Sequence, residues 1–173
     1  MGSPERDLVA QLLREYLRPR ESMSVDQWAD RYRVLAGETS AEPGPWRTER
    51  TPYLRQIMAD LSSDAPHEEV VLQFGTQLGK SESGLNWLGY NIDHDPGPML
   101  LILPTVDIAK RFSKQRLSPM IREAPVLRSK IREARSRDSG NTTLVKEFPG
   151  GLLVVTGANS AAGLASMPSR VLY

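Results

Sequence analysis

The sequence predicts an α/β fold in which helices flank a parallel β-sheet, preceded by an N-terminal helical segment. Two observations carry this prediction: residues 70–74, apart from Gln73, and residues 99–103 are short apolar runs, and a helix-forming stretch over residues 82–91 lies between them. Short apolar runs are typical of strands that are buried on both faces of a parallel sheet. A strand, a helix and a second strand in this order predict a βαβ unit.

The N-terminal segment predicts two helices. Residues 5–17 place leucines at helical spacing among acids and arginines, which is typical of an amphipathic helix. Ser24 begins a second helix, because Gln27 stands at the capping-box spacing from it. Residues 37–50 are polar and contain two prolines and two glycines, so we expect an extended loop there.

A third helix is expected to begin at Thr51 and Pro52, which form an N-cap and first-turn pair, and to continue to residue 61. Downstream, Thr105 is expected to cap a helix that ends near residue 117. Residues 142–148 and 152–156 predict a hairpin around a Pro-Gly-Gly turn. Small residues over 159–168 indicate a loop or short helix, and residues 170–173 begin another strand.

Composition restricts the class of protein. Hydrophobic residues make up 39% of the 173 residues and charged residues 25%, which predicts a folded, soluble core. The absence of cysteine excludes disulfides and cysteine metal sites. No apolar run approaches the roughly 20 residues that cross a bilayer, and no signal-peptide pattern opens the sequence. We therefore expect a cytoplasmic protein without a membrane partner.

The most informative motif is a glycine-bearing turn between the first apolar run and the following helix. It reads Gly75, Thr76, Gln77, Leu78, Gly79, Lys80 and Ser81. This context is typical of a phosphate-binding loop, whose backbone amides point at an anion while the helix N-terminus adds a favourable dipole. Lys80 would reach the outer phosphates of a nucleotide and Ser81 would ligate Mg²⁺.

The motif departs from the usual pattern at its first position. Phe74 stands where the first glycine is expected, and Gly75 comes one residue late. An alternative interpretation is an ordinary strand-turn-helix connection in which Gly79 makes the turn and Lys80 is an exposed residue of the first helical turn. The flanking apolar runs favour nucleotide binding.

A basic segment follows the second apolar run. Between Lys110 and Arg137 there are ten Lys/Arg and two Asp/Glu, although the whole chain carries a net charge of only +1. Such a local excess predicts contact with nucleic-acid phosphates, and a solvated helical face is the alternative. The candidate DNA contacts are Arg128, Lys130, Arg132, Arg135 and Arg137.

Several motifs in linear order resemble the large terminase subunit of tailed bacteriophages, in its lambda-type branch. They are WADRYRVL at 28–35, GPWRT at 44–48, TPYLRQIM at 51–58, QLGKSE at 77–82, and GANS at 157–160 with a Gly-Leu pair at 163–164. The resemblance extends from about residue 24 to residue 173. Because these motifs occur in the same linear order as in the family, they are a more specific signal than the phosphate-binding loop alone.

The resemblance implies an ATPase with ATP and Mg²⁺ as cofactors, which drives double-stranded DNA into a capsid. Gln77, Leu78 and Gly79 would form the phosphate cradle. Tyr53 would stack on adenine and Gln56 would hydrogen-bond its edge, or Tyr53 would be a core aromatic of the third helix. Thr76 stands near the place where many members carry a basic residue, so that role is left unfilled or supplied elsewhere.

The resemblance also implies partners and a cellular setting. Members of the family work with a small terminase subunit and the portal protein of the capsid, as homo-oligomeric rings in the host cytoplasm. Full-length members carry a C-terminal endonuclease of the RNase H-like type. We expect residues 1–50 to form a helical segment and loop, and residues 51–173 an ATPase domain that stops before its second-strand acids. Hydrolysis by the isolated chain should then be very weak.

Two other functions remain open at this point. The chain could be a nucleic-acid-binding or assembly module that keeps a degenerate phosphate loop as scaffold, which the basic segment favours. It could also be another P-loop enzyme of the helicase-like kind. What the parent chain carries beyond Tyr173 distinguishes them: an Asp-Glu pair directly after it would support the motor, and a distant cluster of acids would support the nuclease.

Overall fold

The computed structural model describes residues 21–38, 40–131, 142–164 and 168–173, together with Val9 and Leu13 as single helical positions. The helix expected over residues 5–17 lies outside the described residues except for those two positions. Within the described part of the chain, no helix has the length and apolar character needed to cross a bilayer.

The N-terminal segment is a helix followed by a small hairpin. Helix α1 (Val25–Tyr32) begins after Ser24, whose backbone N–H donates to Gln27 Oε1 at 3.0 Å, so the predicted capping interaction is confirmed. Strands β1 (Val34–Leu35) and β2 (Gly44–Pro45) pair antiparallel. The region expected to be only a loop therefore contains a strand.

Helix α2 (Leu54–Asp60) begins later than expected, after a 3₁₀ turn at Thr48–Arg50. The prediction that Thr51 is its N-cap is wrong. The backbone N–H of Leu54 donates to the carbonyl of Thr51 at 2.9 Å, which closes a tight turn before the helix starts. Tyr53 becomes the residue that precedes the first helical turn.

The strand predicted over residues 70–74 is not formed, so the expected βαβ unit lacks its first strand. These residues pair with no strand of the described chain. Their exposure nevertheless alternates, because Val71 and Gln73 are exposed while Val70, Leu72 and Phe74 are half-buried. The apolar character of this run places one side of it against the protein but supplies no hydrogen-bonding partner.

Helix α3 (Lys80–Asp93) and strand β3 (Met99–Leu103) confirm the helix and the second strand of the prediction. Helix α4 (Val106–Phe112) is capped as expected, since Thr105 Oγ1 accepts from the backbone N–H of Ile108 at 3.2 Å.

Beyond α4 the chain continues through three short helical elements that carry most of the basic segment. They are a π-helical turn (Ser113–Leu117), α5 (Ser118–Glu123) and α6 (Pro125–Lys130). Pro125 at the first position of α6 fits the helix start, where no backbone donor is lost, whereas Pro119 directly follows the helical backbone of the π turn.

The main sheet has four strands in the order β4 (Val145–Phe148), β5 (Gly151–Gly157), β3 and β6 (Val171–Leu172). Strands β5 and β6 both run parallel to β3, whereas β4 pairs antiparallel with β5 through the predicted hairpin. The sheet is therefore mixed, and its parallel part confirms the α/β class. The short helix α7 (Ala161–Leu164) precedes β6.

A single hydrophobic cluster joins the N-terminal helix to the rest of the described chain. Trp28 of α1 is fully buried, and its ring lies so close to Gly89 of α3 that a Cβ there would stand 2.4 Å from Trp28 Cη2. Leu54, Leu88 and Leu101 belong to the same cluster. A division of the chain at residues 50 and 51 stays a prediction.

Candidate nucleotide-binding site

The glycine turn leads directly into the longest helix of the described chain. Helix α3 has 14 residues and begins at Lys80, with Gly79 as its N-cap in the left-handed conformation at φ 82°. Gln77 is also left-handed, at φ 60°, which is unusual for a residue with a side chain. Two left-handed residues in three turn the backbone sharply just before the helix begins.

Gly79 is required at its position for two reasons. A left-handed φ strains any residue with a Cβ. A Cβ at Gly79 would also stand 2.7 Å from Leu54 Cδ1 of α2. The turn therefore lies directly against the start of α2, and the carbonyl of Gly79 accepts from the backbone N–H of Ser83 at 2.9 Å.

Lys80 and Ser81 stand at the first two positions of α3. Both are exposed, and neither side chain has a hydrogen bond or an ion pair with any residue that the structure describes. An ammonium and a hydroxyl at the positive end of a helix form an arrangement suited to an anion.

The other loop residues are accessible as well. Gly75, Thr76, Gln77 and Leu78 are all exposed, and 45% of the Leu78 surface remains open. The backbone of the loop is therefore not covered by other described parts of the chain. No charged residue precedes Lys80 within the loop.

The residues expected to contact adenine are the N-cap residue of α2, Tyr53, and a residue within that helix, Gln56. Tyr53 is 51% exposed, which contradicts the alternative that it is a core aromatic of α2. It adjoins Leu54, the residue that meets the loop at Gly79. The amide of Gln56 donates to Asp60 Oδ1 at 2.8 Å, so in this structure its side chain is hydrogen-bonded within α2.

A cavity of about 720 Å³ opens on one side of Lys80. It lies between residues 67–70 with Leu72, Trp87 of α3, and the pair Leu172 and Tyr173. Asp60, Glu68 and Glu69 also line it. These three carboxylates would repel a negatively charged polyphosphate. The exposed loop is therefore a better candidate for binding phosphates than this cavity.

Sequence analysis missed a second feature of the site, the carboxylate of Glu82. Its Oε2 accepts from Arg33 Nη2 at 3.1 Å, and its Oε1 accepts from Arg116 Nη1 at 2.9 Å. These partners are 49 and 34 residues away in the sequence, so no local spacing reveals them. The sequence signal that could have singled out Glu82 is its position in the first turn of a helix, where an acid interacts favourably with the helix dipole.

Arg33 is the buried member of this group, with 4% of its side chain exposed. Burial lowers the pKa of its guanidinium, and the nearby carboxylate of Glu82 opposes that change. Its Nε atom is buried and has no hydrogen-bond partner among the residues that the structure describes. Glu82 is thus the carboxylate that balances a charge removed from water.

The basic segment is described only in part. Arg128 is exposed, whereas Lys130 Nζ lies 2.9 Å from Asp93 Oδ1 and also donates to the Asp93 carbonyl. The remaining candidate contacts, Arg132, Arg135 and Arg137, lie outside the described residues. DNA binding by these five residues stays a prediction.

Comparison with known families decides what this loop belongs to. The family described as the phage terminase large subunit gpA, ATPase domain, matches residues 40–173. The chain belongs to the phage terminase large-subunit family. The matched region includes the loop over residues 75–81, α3 and the four strands of the main sheet, so the candidate site lies within the region that matches the family's ATPase domain.

Two curated relatives agree with this assignment. The chain is 32% identical over 146 residues to the large terminase subunit of Escherichia phage lambda, covering 84% of this chain and 22% of that protein. It is 28% identical over 126 residues to the large terminase subunit of Enterobacteria phage P21, covering 73% of this chain and 19% of that protein. The chain spans about a fifth of the length of these relatives, and no solved structure matches it.

Proposed function

We propose that this chain binds Mg²⁺-ATP in the loop over residues 75–81 and forms the nucleotide-binding part of a motor that packages double-stranded DNA. One observation carries the proposal. Lys80 and Ser81, both exposed and without partners in the described chain, begin a 14-residue helix behind a sharply turned loop. Membership of the family's ATPase domain supports the assignment.

The loop residues divide the work of holding the phosphates. The backbone N–H groups of Gln77, Leu78 and Gly79 would donate to phosphate oxygens, with the helix dipole behind them. The ammonium of Lys80 would balance the charge of the outer phosphates. Gly75 and Thr76 would form the first part of the loop. Both residues are exposed, which leaves room for a ligand.

Ser81 fits a role as Mg²⁺ ligand. Its hydroxyl is exposed at the second position of α3, directly beside the lysine that would meet the same phosphates. A Mg²⁺ held there would supply positive charge against the phosphates. An oxygen donor suits this hard cation.

The base would lie on the α2 side of the loop. Tyr53 is half exposed and adjoins the residue that meets Gly79, which makes it available to stack on adenine. Gln56 would contact the edge of the base after giving up its hydrogen bond to Asp60. Thr76 carries no charge, so a basic residue for the phosphates would come from elsewhere.

The wider role follows from the family. We propose that the full protein acts on double-stranded DNA together with a small terminase subunit and a capsid portal protein, as a homo-oligomer in the host cytoplasm. Two named relatives are large terminase subunits, which supports this setting.

Calorimetric titration with a non-hydrolysable ATP analogue in the presence of Mg²⁺ tests the proposal. Lys80→Ala should weaken binding by about 2–4 kcal/mol, as for other desolvated charge pairs. Lys114→Ala is the control, because Lys114 is an exposed lysine that belongs neither to the loop over residues 75–81 nor to helix α3. Equal binding by the wild-type protein and Lys80→Ala would place the nucleotide elsewhere.

A second candidate function is DNA binding by a module that keeps the loop only as scaffold. The exposure of Arg111, Lys114 and Arg128 within the basic segment favours it. This alternative is preferred if the wild-type protein binds no nucleotide yet binds duplex DNA in a salt-dependent manner.

A further inference from the structure

Helix α3 is tied to the rest of the protein by one acid at each end. Glu82, in the first turn, binds Arg33 and Arg116. Asp93, the last residue, accepts from Trp28 Nε1 at 2.8 Å and pairs with Lys130. Each acid therefore joins one residue of the N-terminal segment to one residue of the basic segment.

The two junctions differ in what lies beside them. About 16 Å separate Glu82 and Asp93 along the helix axis, at 1.5 Å per residue. Glu82 directly follows Lys80 and Ser81, whereas Asp93 lies at the opposite end of the helix. Only the Glu82 junction can act on the orientation of the phosphate loop.

The partner from the N-terminal segment is held rigidly. The backbone N–H of Arg33 closes the end of α1 on the carbonyl of Ala29 at 3.0 Å, and its own carbonyl accepts from Trp46 at 2.9 Å. Its guanidinium also donates to the Val34 carbonyl. A buried group fixed at its backbone and side chain gives Glu82 a firm anchor.

The partner from the basic segment comes from an irregular part of its helix. Arg116 lies in the π-helical turn Ser113–Leu117 and keeps 43% of its side chain exposed. Ser113 donates to the carbonyl of Thr143, which attaches the same turn to the chain before β4. Single π turns in longer helical stretches are often found at functional sites.

We propose that Glu82 is a positioning residue, which holds the first turn of α3 between Arg33 and Arg116 and so orients Lys80 and Ser81 toward the nucleotide phosphates. This inference rests on the proposed function of the loop. Glu82 itself touches neither nucleotide nor metal in this account. Removal of the Glu82 carboxylate weakens nucleotide binding because the side chains of Lys80 and Ser81 are then no longer held in one orientation.

The test measures the affinity of the 173-residue protein for a non-hydrolysable ATP analogue with and without Mg²⁺. Glu82→Gln should weaken binding with Mg²⁺ about tenfold, the lower end of the effect of lost supporting contacts. Binding without Mg²⁺ should weaken less, because Ser81 then has no metal to hold. The ratio of the two affinities therefore falls.

Asp93→Asn is the matched control, because it opens the equivalent junction on the same helix at a similar burial, 16% against 23% exposed. A purely structural role of these acids predicts the same Mg²⁺ ratio in both variants and in the wild-type protein. A positioning role predicts a changed ratio for Glu82→Gln alone. An unchanged ratio in Glu82→Gln, with normal binding by the wild-type protein, overturns the inference and leaves the proposed function standing.

Arg116→Gln keeps the test decisive if Glu82→Gln does not fold. Arg116 is half exposed, and its loss leaves the buried pair of Arg33 and Glu82 intact. It should lower the Mg²⁺ ratio, by less than the loss of the shared carboxylate does. A ratio equal to that of the wild-type protein contradicts the inference. Absence of nucleotide binding by the wild-type protein contradicts both this inference and the proposed function.

Discussion

Single residues at the loop are constrained by backbone conformation as well as by charge. Gly79 combines a left-handed φ with close contact to Leu54, while Gly75, in the same loop, has neither constraint. A Cβ at Gly75 would stand 3.4 Å from Leu78 Cδ1, an ordinary contact. The two glycines therefore form a natural pair for comparison.

Gly79→Ala should lower the free energy of unfolding by more than about 1 kcal/mol, because alanine at positive φ is strained and its Cβ meets Leu54. It should also weaken nucleotide binding, since Lys80 is the next residue. Urea unfolding and analogue titration measure the two effects. Gly75→Ala serves as control, and equal stability of the two variants would contradict the assigned role of Gly79.

Lys146 of β4 is a buried cation away from the site. Only 9% of the residue is exposed, and Nζ donates to the Thr142 carbonyl at 2.7 Å. Burial lowers its pKa below the ordinary value of 10.5. The folded protein therefore releases this proton at a lower pH than the unfolded chain does.

Because burial lowers the pKa of Lys146, the folded protein is stabilised when this amine is neutral. The stability linked to the neutral amine is complete above pH 10.5 and is lost as the pH falls through the lowered folded pKa. The wild-type protein should gain stability relative to Lys146→Met as the pH rises toward 10.5. Unfolding free energies of both proteins across the alkaline range measure this difference, and a difference that is constant with pH would contradict the lowered pKa.

At the scale of elements, helix α1 depends on a glycine of α3. A Cβ at Gly89 would overlap the ring of Trp28, which is fully buried. Gly89→Ala should therefore lower the free energy of unfolding by about 1–3 kcal/mol, the usual effect of overpacking. Replacing glycine by alanine in a helix also gains roughly 1 kcal/mol in helix propensity. The overpacking loss should exceed this gain only while Trp28 is present.

The matched variant is Trp28→Phe, which shortens the ring. In that background Gly89→Ala should be less destabilising than in the wild-type protein, giving a non-zero coupling in a double-mutant cycle. Additive effects of the two substitutions would show that the helices do not meet at these residues.

The elements also show what sequence alone predicts. Strand β3 and helix α4 follow from local signals, an apolar run and a capping threonine, and both are confirmed. The apolar run over residues 70–74 has the same signal, but no strand in the described part of the chain pairs with it, because pairing depends on residues distant in sequence. The partners of Glu82 were missed for the same reason.

At the scale of the whole molecule, the basic segment predicts a salt-dependent interaction. If its arginines contact DNA phosphates, the logarithm of the binding constant should fall by about 0.9 per contact for each unit of the logarithm of salt concentration. Replacing Arg128 and Arg132 by alanine should flatten that slope by about two units. Fluorescence titration of duplex DNA over a range of salt concentrations measures it.

Arg47→Ala with Arg55→Ala is the control for net charge, since both residues are exposed and lie outside the basic segment. Their loss should leave the slope unchanged. Equal flattening by both double variants would point to net charge alone. Absence of DNA binding at low salt would favour a solvated face.

We propose that the loop over residues 75–81 holds the nucleotide phosphates. A crystal structure of the protein with Mg²⁺ and a non-hydrolysable ATP analogue tests it most directly. We predict phosphate oxygens about 2.7–3.2 Å from the backbone nitrogens of the loop and from Lys80 Nζ, with Mg²⁺ on the hydroxyl of Ser81. An analogue bound in the cavity between Trp87 and Tyr173, with the loop empty, would contradict the account.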